Sequence, residues 1–132
     1  MPSFGTKSLK ELETCHPLLQ LLFTRVVEGY DCSVLEGARS KEKQNSLYEA
    51  GKTKLKWPNS KHNSSPSLAV DVAPYPINWK SKDQFYHFVG YVKGVSDILG
   101  IKIRCGADWD GDNDINDQTF DDLPHFELIG EY

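Results

Sequence analysis

The sequence predicts an α+β fold, in which helices pack on a small, mostly antiparallel sheet. Helical segments dominate the start of the chain, and mixed short strands with one long helix follow. No regular alternation of strand and helix is present, which argues against a parallel βαβ architecture. The 132 residues are enough to bury one core, so we expect a single domain over residues 1–132.

Three helices are predicted. Apolar residues recur at helical spacing over residues 8–29. Pro17 interrupts this segment, so either the helix begins close to Cys15 or a short turn precedes the main helix. Residues 40–50 and 81–99 each begin at a serine that can cap a helix, and each ends before a glycine.

Four short strands are predicted, at residues 32–36, 68–73, 101–105 and 125–129. Between the second helix and the second strand, residues 53–67 are rich in proline, asparagine and hydroxyl side chains. This composition is typical of a loop, and structured loops of such length are commonly functional. Residues 108–122 form an acidic loop before the last strand.

The composition narrows the class of protein. The formal net charge is −4, so the chain lacks the general positive charge that favours nucleic acid, and we expect no nucleic-acid partner. The three cysteines lie far apart and form no C-x-x-C pair. We therefore expect reduced, mostly buried thiols at Cys15, Cys32 and Cys105, rather than disulfides or a thiolate zinc site.

No segment is apolar over the roughly 20 residues that span a bilayer, so we expect no membrane insertion. The first residues, MPSFGTKSLKELE, lack the apolar core of a signal peptide. We expect a monomeric protein that is made in a cytoplasm. Another factor would have to release it toward a substrate beyond the membrane.

Two of the four histidines have unusual surroundings. His62 lies in the polar loop nine residues before Asp71, which interrupts an apolar strand, and His125 begins the last strand. A carboxylate buried as a free ion is costly, so Asp71 needs a cation or hydrogen-bond donors. His16 precedes a proline and His87 lies among aromatic residues, without neighbours that complete a metal or catalytic set. We therefore assign structural roles to His16 and His87.

Two interpretations of the His62, Asp71 and His125 set remain open from the residue types alone. Two imidazoles and one carboxylate are a common catalytic zinc set, and they leave a fourth position for water. Such a site polarises a carbonyl group and lowers the pKa of bound water toward about 7. Alternatively, Asp71 is a buried carboxylate that hydrogen bonds satisfy.

Two segments carry a recognisable signature. The first combines Ser-Lys-His at residues 60–62 with Ala-Val-Asp at residues 69–71, and the second is Asp-Leu-Pro-His-Phe-Glu-Leu at residues 122–128. Together they resemble the family of D-alanyl-D-alanine carboxypeptidase-like zinc peptidases, in particular the single-domain L-alanyl-D-glutamate endopeptidase endolysins of tailed phages. The resemblance covers nearly the whole chain, including the Gly-Ala-Arg segment at residues 37–39 and the Gly-Ala-Asp-Trp segment at residues 106–109.

The resemblance implies a hedgehog and D-Ala-D-Ala peptidase-like fold, with a zinc ion held by His62, Asp71 and His125. It implies that Asp122, three residues before the last ligand, is the general base, with Asp121 as the alternative. An acid this close to a ligand can reach metal-bound water without binding the metal. The chain departs from the family in two respects. Many members have a shorter gap between the first two ligands, and the gap here contains no glycine.

The resemblance also implies that Arg39 holds the substrate or the oxyanion that develops during hydrolysis, since a cation near that oxygen stabilises its charge. A surface salt bridge is the alternative for this arginine. Ser60 and Gln44 are candidate substrate-binding residues, although Ser60 also fits a simple turn position.

Alternate aspartates mark the acidic loop, and they are Asp108, Asp110, Asp112 and Asp114. Alternating carboxylates are typical of calcium sites, but the glycine position and the missing glutamate depart from the EF-hand pattern. Some phage endopeptidases of the type that the chain resembles are calcium-controlled through this region. A calcium site and a solvated acidic loop both remain open.

From the resemblance we expect a phage or prophage endolysin that uses Zn²⁺ to act on bacterial peptidoglycan, while Ca²⁺ in the acidic loop stays one of the two open alternatives. The expected reaction is hydrolysis of a stem-peptide bond, specifically L-alanyl-D-glutamate. A D,D-carboxypeptidase or dipeptidase is the alternative within the same class. Alternatives of other classes are a zinc-binding module without activity and a calcium-binding structural protein of a virion. Asp122 favours a peptidase, because a structural zinc site needs no neighbouring base.

Overall fold

The structure is a computed structural model that describes residues 2–114, 116 and 122–130. Its helices within these residues are α1 (Thr6–Glu13), α2 (Pro17–Gly29), α3 (Lys41–Glu49) and α4 (Lys82–Leu99). Its strands are β1 (Cys32–Glu36), β2 (Ala69–Pro74), β3 (Ile103–Gly106) and β4 (Asp122–Leu128). A short 3-10 turn, Lys61–Asn63, lies in the loop between α3 and β2. Helices packed on one antiparallel sheet confirm the predicted α+β class.

The first predicted helix is two helices, so the described residues form four helices rather than the predicted three. Pro17 has no backbone N–H, and it occupies the first position of α2, where no donor is needed. The side chain of His16 accepts a hydrogen bond from the Leu18 backbone N–H at 3.1 Å and caps the same helix. A structural role for His16 agrees with this contact.

The other helices begin close to the predicted positions. Ser40 accepts a hydrogen bond from the Lys43 backbone N–H at 3.1 Å, and Ser81 accepts one from the Gln84 backbone N–H at 3.3 Å. Gly100 ends α4 with a φ of 71°, a left-handed conformation that favours glycine. No helix in the described part of the chain has the length and apolar character needed to cross a membrane.

The sheet has the strand order β1-β2-β4-β3, and each neighbouring pair is antiparallel. The central strands are therefore β2 and β4, and Asp71 of β2 lies opposite His125 of β4. On its other side, Asp71 lies opposite Glu36 of β1. A carboxylate on a central strand thus has a polar neighbour on each adjacent strand.

The two faces of the sheet differ in chemistry, because successive side chains of a strand point to opposite sides. The apolar face belongs to the buried core, and its residues are Val34, Val70, Val72, Cys105, Phe126 and Leu128. Phe23 of α2 and Phe88 of α4 pack against Phe126, with ring centroids 5.3 Å and 6.1 Å away. Polar side chains lie on the face that points away from these helices.

A β-bulge in β1 brings Glu36 onto the polar face. The register of β1 against β2 shifts between Val34 and Glu36, so that Glu36 lies opposite Asp71. Without the shift, Glu36 would share the core face with Val34, since the two residues are two positions apart. The bulge therefore places a second acid beside Asp71.

Two strands begin two or more residues away from the predicted positions, whereas β2 begins one residue late. The strand β3 begins at Ile103, two residues later than predicted, and β4 begins at Asp122, three residues earlier than predicted. A register irregularity between Cys105 and Gly106 pairs Gly106 with Asp122, which extends the ladder to that aspartate. Asp122 therefore lies in a strand rather than in a loop. Asp121, the alternative general base, lies outside the described residues.

The three cysteines are free and buried, as predicted. Burial raises the pKa of the Cys15 and Cys32 thiols to about 12. It also raises the pKa of Cys105 above its ordinary value. None of the three is therefore a reactive thiolate near neutral pH.

Candidate metal centre and its cleft

The three residues predicted as zinc ligands converge on the polar face of the sheet. The ligand atoms of His62, Asp71 and His125 all lie within 4.8 Å of one another. Asp71 Oδ1 lies 3.3 Å from His62 Nε2 and 3.4 Å from His125 Nδ1. The loop that carries His62 and the two central strands therefore bring distant parts of the sequence to one point.

Two of these atoms are buried without hydrogen bonds. Within residues 2–114, 116 and 122–130, neither His62 Nε2 nor Asp71 Oδ1 has a hydrogen-bond partner of suitable geometry. Buried polar atoms are normally paired. Two imidazole nitrogens and a carboxylate oxygen are also donors that zinc prefers. The residues therefore fit a divalent cation better than they fit an Asp71 satisfied by hydrogen bonds.

Opposite charges shift the pKa values of two groups in the centre, Asp71 and His125. Burial alone would raise the pKa of Asp71, but the imidazoles of His125 and His62 outweigh it and hold the pKa well below the usual carboxyl range. Burial alone would lower the pKa of His125, but Asp71 and Glu127 outweigh it and raise the pKa to about 9. The centre thus combines an ionised Asp71 carboxylate with a His125 imidazole whose protonated form that carboxylate stabilises.

His62 is held through its backbone and its second ring nitrogen. Its Nδ1 lies 2.7 Å from the carbonyl oxygen of Gly37, and because a carbonyl only accepts, Nδ1–H donates and Nε2 faces Asp71. Ser60 Oγ accepts a hydrogen bond from the His62 backbone N–H at 3.2 Å. The Arg39 backbone N–H donates to the His62 carbonyl at 2.8 Å. Ser60 therefore steadies the ligand loop, and its contact with substrate stays a prediction.

Gly37 has no room for a side chain. A Cβ at this position would lie 2.3 Å from Thr14 Oγ1 and 2.4 Å from the Glu11 carbonyl oxygen. Glycine lets the chain pass this close to the end of α1 and still present its carbonyl to His62. The orientation of one candidate ligand thus depends on the absence of a Cβ here.

Glu127 orients the other histidine. His125 Nε2 lies 2.8 Å from Glu127 Oε1, which leaves Nδ1 to face Asp71. Glu127 also pairs with Lys61 Nζ at 3.1 Å and with Arg104 Nη2 at 3.0 Å. Burial would raise the pKa of Glu127, but His125 and the two cations lower it to about 2. A charged carboxylate behind a histidine is a common arrangement at zinc sites.

Asp122 lies beside the candidate ligands. Its Oδ2 is 3.9 Å from His125 Nδ1, and 39% of its side chain is exposed. Burial and the charge of Asp71 raise the pKa of Asp122 above its ordinary value. Gly106 permits this position, because a Cβ there would lie 2.0 Å from the Asp122 carbonyl oxygen. The predicted general base is therefore close to the centre, and its role stays a prediction.

Arg39 borders the centre and is not a surface residue. Its Nε donates to Glu36 Oε1 at 2.7 Å, and its Nη1 donates to Gln44 Oε1 at 2.9 Å. Its Nη2 lies 3.9 Å from Asp71 Oδ2, and only 10% of the side chain is exposed. Gln44 is fully buried and also donates to the Leu55 carbonyl at 2.6 Å. The contact between Gln44 and Arg39 positions the arginine, and substrate binding by Gln44 stays a prediction.

A cleft of about 530 Å³ opens over the centre. His62, His125 and Asp122 line it, and so does Arg39. Trp109 forms part of the wall, with its ring centroid 5.2 Å from that of His125. Volumes of this size are typical of ligand-binding sites, and two of the three candidate ligands, His62 and His125, line this one.

Three of the four aspartates predicted to bind calcium lie together. Carboxylate oxygens of Asp108, Asp110 and Asp112 are within 4.8 Å of one another. Asp108 is buried, and its Oδ1 has no hydrogen-bond partner among the described residues. Its Oδ2 accepts a hydrogen bond from the Asn113 backbone N–H at 2.8 Å. Asp114 is exposed and lies outside this cluster.

The sequence-based prediction assigned no individual role to three polar residues of this region, which are Glu36, Arg104 and Glu127. Glu127 belongs to the segment that carries the resemblance. Glu127 follows His125 by two positions in a strand, so alternation alone places both on one face. Alternation cannot find Glu36, because the bulge reverses its face. Arg104 becomes visible only when β3 is known to pair with β4.

Comparisons with known proteins extend over nearly the whole chain. Residues 2–129 match the family model of phage L-alanyl-D-glutamate peptidases. The chain is 34% identical over 136 residues to the L-alanyl-D-glutamate peptidase of Escherichia phage T5, covering 96% of this chain and 97% of that protein. The structure is similar to that of the Serratia marcescens L-Ala D-Glu endopeptidase ChiX, with a TM-score of 0.78, 25% identity, and coverage of 97% and 91% of the two chains. The chain therefore belongs to the family of phage L-alanyl-D-glutamate peptidases.

Proposed function

We propose that this chain is a zinc-dependent endopeptidase that hydrolyses the L-alanyl-D-glutamate bond in the stem peptide of bacterial peptidoglycan. The observation that carries the proposal is the convergence of two imidazole nitrogens and one carboxylate oxygen. Two of these atoms are buried and lack hydrogen bonds within the described residues. A cation would satisfy both atoms. Membership of the phage peptidase family supports the substrate class.

His62 Nε2, Asp71 Oδ1 and His125 Nδ1 would hold the zinc ion. A zinc ion in such a site polarises the scissile carbonyl and lowers the pKa of a water molecule toward about 7. Gly37 and Glu127 keep the two imidazoles turned so that these nitrogens face the carboxylate. The chain thus supplies a preorganised set of three donors.

Asp122 acts as the general base. Its carboxylate accepts a proton from the attacking water as the water oxygen bonds to the carbonyl carbon. It then gives a proton to the departing amine as the carbon–nitrogen bond breaks. Its partial exposure and its distance of 3.9 Å from His125 Nδ1 suit a group that works beside the ligands.

Arg39 stabilises the negative charge that develops on the carbonyl oxygen. Its hydrogen bonds with Glu36 and Gln44 fix the guanidinium next to Asp71, so the positive charge needs no rearrangement during the reaction. Gln44 contributes through this contact as a positioning residue.

Digestion of purified peptidoglycan tests the proposal. The enzyme should release fragments with new L-alanine carboxyl termini and D-glutamate amino termini, which mass spectrometry identifies. EDTA should abolish their release, and added zinc should restore it. New D-alanine termini would instead identify a D,D-carboxypeptidase or dipeptidase, and cleavage that resists EDTA would reject the metal.

The substitution Asp122→Asn separates a peptidase from a zinc-binding module without activity. We expect turnover to fall roughly 100- to 10,000-fold, the usual contribution of a general base, while zinc binding stays unchanged. Asp97→Asn, at an exposed aspartate of α4, is the matched control and should keep full turnover. Full turnover by Asp122→Asn would remove Asp122 from the mechanism.

We also propose that the acidic loop binds calcium. The supporting observation is the buried Asp108 Oδ1, which has no partner in the described residues and lies with the carboxylates of Asp110 and Asp112. Calcium prefers such oxygen ligands. Titration calorimetry should detect calcium binding at millimolar concentration or below, and Asp108→Asn should lose it. Absence of binding by the wild-type chain at millimolar calcium would leave a solvated acidic loop.

A further inference from the structure

Basic side chains concentrate around the cleft, although the chain as a whole is acidic. The sequence has 19 acidic residues and 15 lysines and arginines. Among the residues that line the cleft, by contrast, cations outnumber acids. The acids are Asp122 and Glu127, and the cations are Arg39, Lys52, Lys54, Lys61 and Arg104. The cleft therefore attracts anionic groups more strongly than the average surface does.

Two of these cations are each held by two different acceptor residues of the protein. Arg39 bonds to Glu36 and Gln44, and it is almost fully buried. Lys61 pairs with Glu127 and also donates to a backbone carbonyl. Both therefore serve to hold the centre together. A carboxylate that enters the cleft would be bound by a cation that still has exposed hydrogen-bond donors.

Arg104 combines exposure with a fixed position. Its side chain is 45% exposed, and its Nη2 pairs with Glu127 Oε2 at 3.0 Å. Its guanidinium carbon lies 5.3 Å from the centroid of the Trp109 ring. Because a guanidinium is a planar fork of several N–H donors, the contact with Glu127 leaves donors for a second carboxylate. Lys52 and Lys54 are exposed and offer a point charge on a flexible stem instead.

Arg104 also lies near the reacting centre. It stands opposite Glu127 in the sheet, and Glu127 bonds to His125. Residues two positions apart along a strand are separated by roughly 7 Å. Arg104 is therefore paired with a residue that lies about this distance from the candidate ligand His125. Trp109, which supports the guanidinium, also contacts the His125 ring at 5.2 Å between centroids.

The proposed substrate supplies a carboxylate for this position. Cleavage between L-alanine and D-glutamate places the glutamate on the amine side of the scissile bond. Glutamate has two carboxyl groups, and the peptide chain can continue through only one of them. A free carboxylate therefore lies only a few bonds from the scissile nitrogen. We propose that Arg104, held by Glu127 and Trp109, binds this free carboxylate and selects D-glutamate at the cleavage site, an inference that rests on the proposed endopeptidase function.

Two soluble stem peptides provide the test. They contain the same L-alanyl-D-glutamyl bond and differ only in the free glutamate group, which is a carboxylate in one and a carboxamide in the other. We expect wild-type kcat/KM to be roughly 10- to 100-fold higher for the carboxylate peptide, the usual effect of a charge-assisted hydrogen bond, and we expect the difference to lie in KM.

Substitutions at Arg104 should remove this preference. Arg104→Gln should lower kcat/KM for the carboxylate peptide to the carboxamide level while leaving the carboxamide peptide and zinc affinity nearly unchanged. Arg104→Lys should retain part of the preference, because charge remains without the fork. Lys102→Gln removes a charge that lines a different hollow and should behave as wild type. Lys52→Gln removes a charge from the same cleft and should cost much less than Arg104→Gln.

Four results would overturn the inference. Equal losses on both peptides in Arg104→Gln would show that Arg104 acts only through Glu127 and the centre. Equal losses of kcat/KM for the carboxylate peptide in Lys52→Gln and Arg104→Gln would show that the overall positive charge of the cleft, and not a specific contact with Arg104, attracts the carboxylate. Equal wild-type cleavage of both peptides would reject the selection of the carboxylate but leave the proposed function standing. Failure to cleave both peptides and peptidoglycan would reject the proposed function and, with it, this inference.

Discussion

The two candidate histidine ligands are turned toward Asp71 by partners outside the ligand set. Gly37 supplies a backbone carbonyl to His62, and Glu127 supplies a side-chain carboxylate to His125. A backbone carbonyl cannot be removed by substitution, but a carboxylate can. Glu127 is therefore the residue at which the orientation of a ligand can be tested directly.

We expect Glu127→Gln to weaken zinc binding about 10- to 100-fold, the usual cost of losing an outer partner of a metal-bound histidine. The amide can still contact His125 Nε2, but it lacks the charge that fixes the ring. Competition with a chromophoric chelator measures the change. Glu49→Gln, at an exposed position of α3, should keep wild-type affinity. Unchanged affinity in Glu127→Gln would mean that the strand alone orients His125.

The site could be predicted only as far as local pattern reaches. His62, Asp71 and His125 were identified because imidazoles and a carboxylate in unfavourable surroundings stand out, and because the resemblance joined them. Their supporting contacts depend on pairing between distant segments. Gly37 reaches His62 because the chain runs beside the end of α1, and no periodicity in the sequence encodes that path.

The close approach of β3 and β4 depends on a single glycine. A Cβ at Gly106 would lie 2.0 Å from the Asp122 carbonyl oxygen, so Gly106→Ala must push the two strands apart at the start of β4. We expect a loss of about 1–3 kcal/mol in the free energy of unfolding, as in other overpacked sites. Turnover should also fall, because Asp122 is displaced. Urea denaturation and hydrolysis assays measure the two effects.

A glycine of α4 provides the opposite control. A Cβ at Gly94 meets no atom within 4 Å, and alanine is a better helix former than glycine by about 1 kcal/mol. Gly94→Ala should therefore stabilise the protein slightly and leave turnover unchanged. If Gly106→Ala is as stable and active as Gly94→Ala, the strands do not need this close approach.

Secondary structure was predictable where a local signal decides it. Serine caps and a terminal glycine placed α3 and α4 within about a residue. Pro17 marked a break, but its consequence depended on whether the residues before it had enough contacts to form α1. The early start of β4 depends on a register irregularity with β3, which lies outside any local pattern.

The two faces of the sheet have different roles in the whole domain, because one packs in the apolar core and the other carries the candidate metal centre. Phe126 and Leu128 bury one side of β4 in the core, while His125 and Glu127 occupy the other side. Strand alternation makes this separation possible. The α+β class could be predicted because the order of helical and strand segments shows no regular βαβ repeat. The polar face carries a cost, since its carboxylates and imidazoles are buried and incompletely paired among the described residues.

A bound ion should offset that cost and stabilise the entire domain. Zinc at about 1,000 times its Kd should add about 4 kcal/mol to the free energy of unfolding, because it binds the folded chain preferentially. For a domain of this size the melting temperature should rise by roughly 10 °C or more, measured by calorimetry with zinc and with EDTA. His62→Ala should abolish the rise, since it removes one of three ligands. His87→Ala, at an exposed histidine that contacts Tyr30, should retain it in full. An equal rise in His62→Ala would place the stabilising ion elsewhere in the protein.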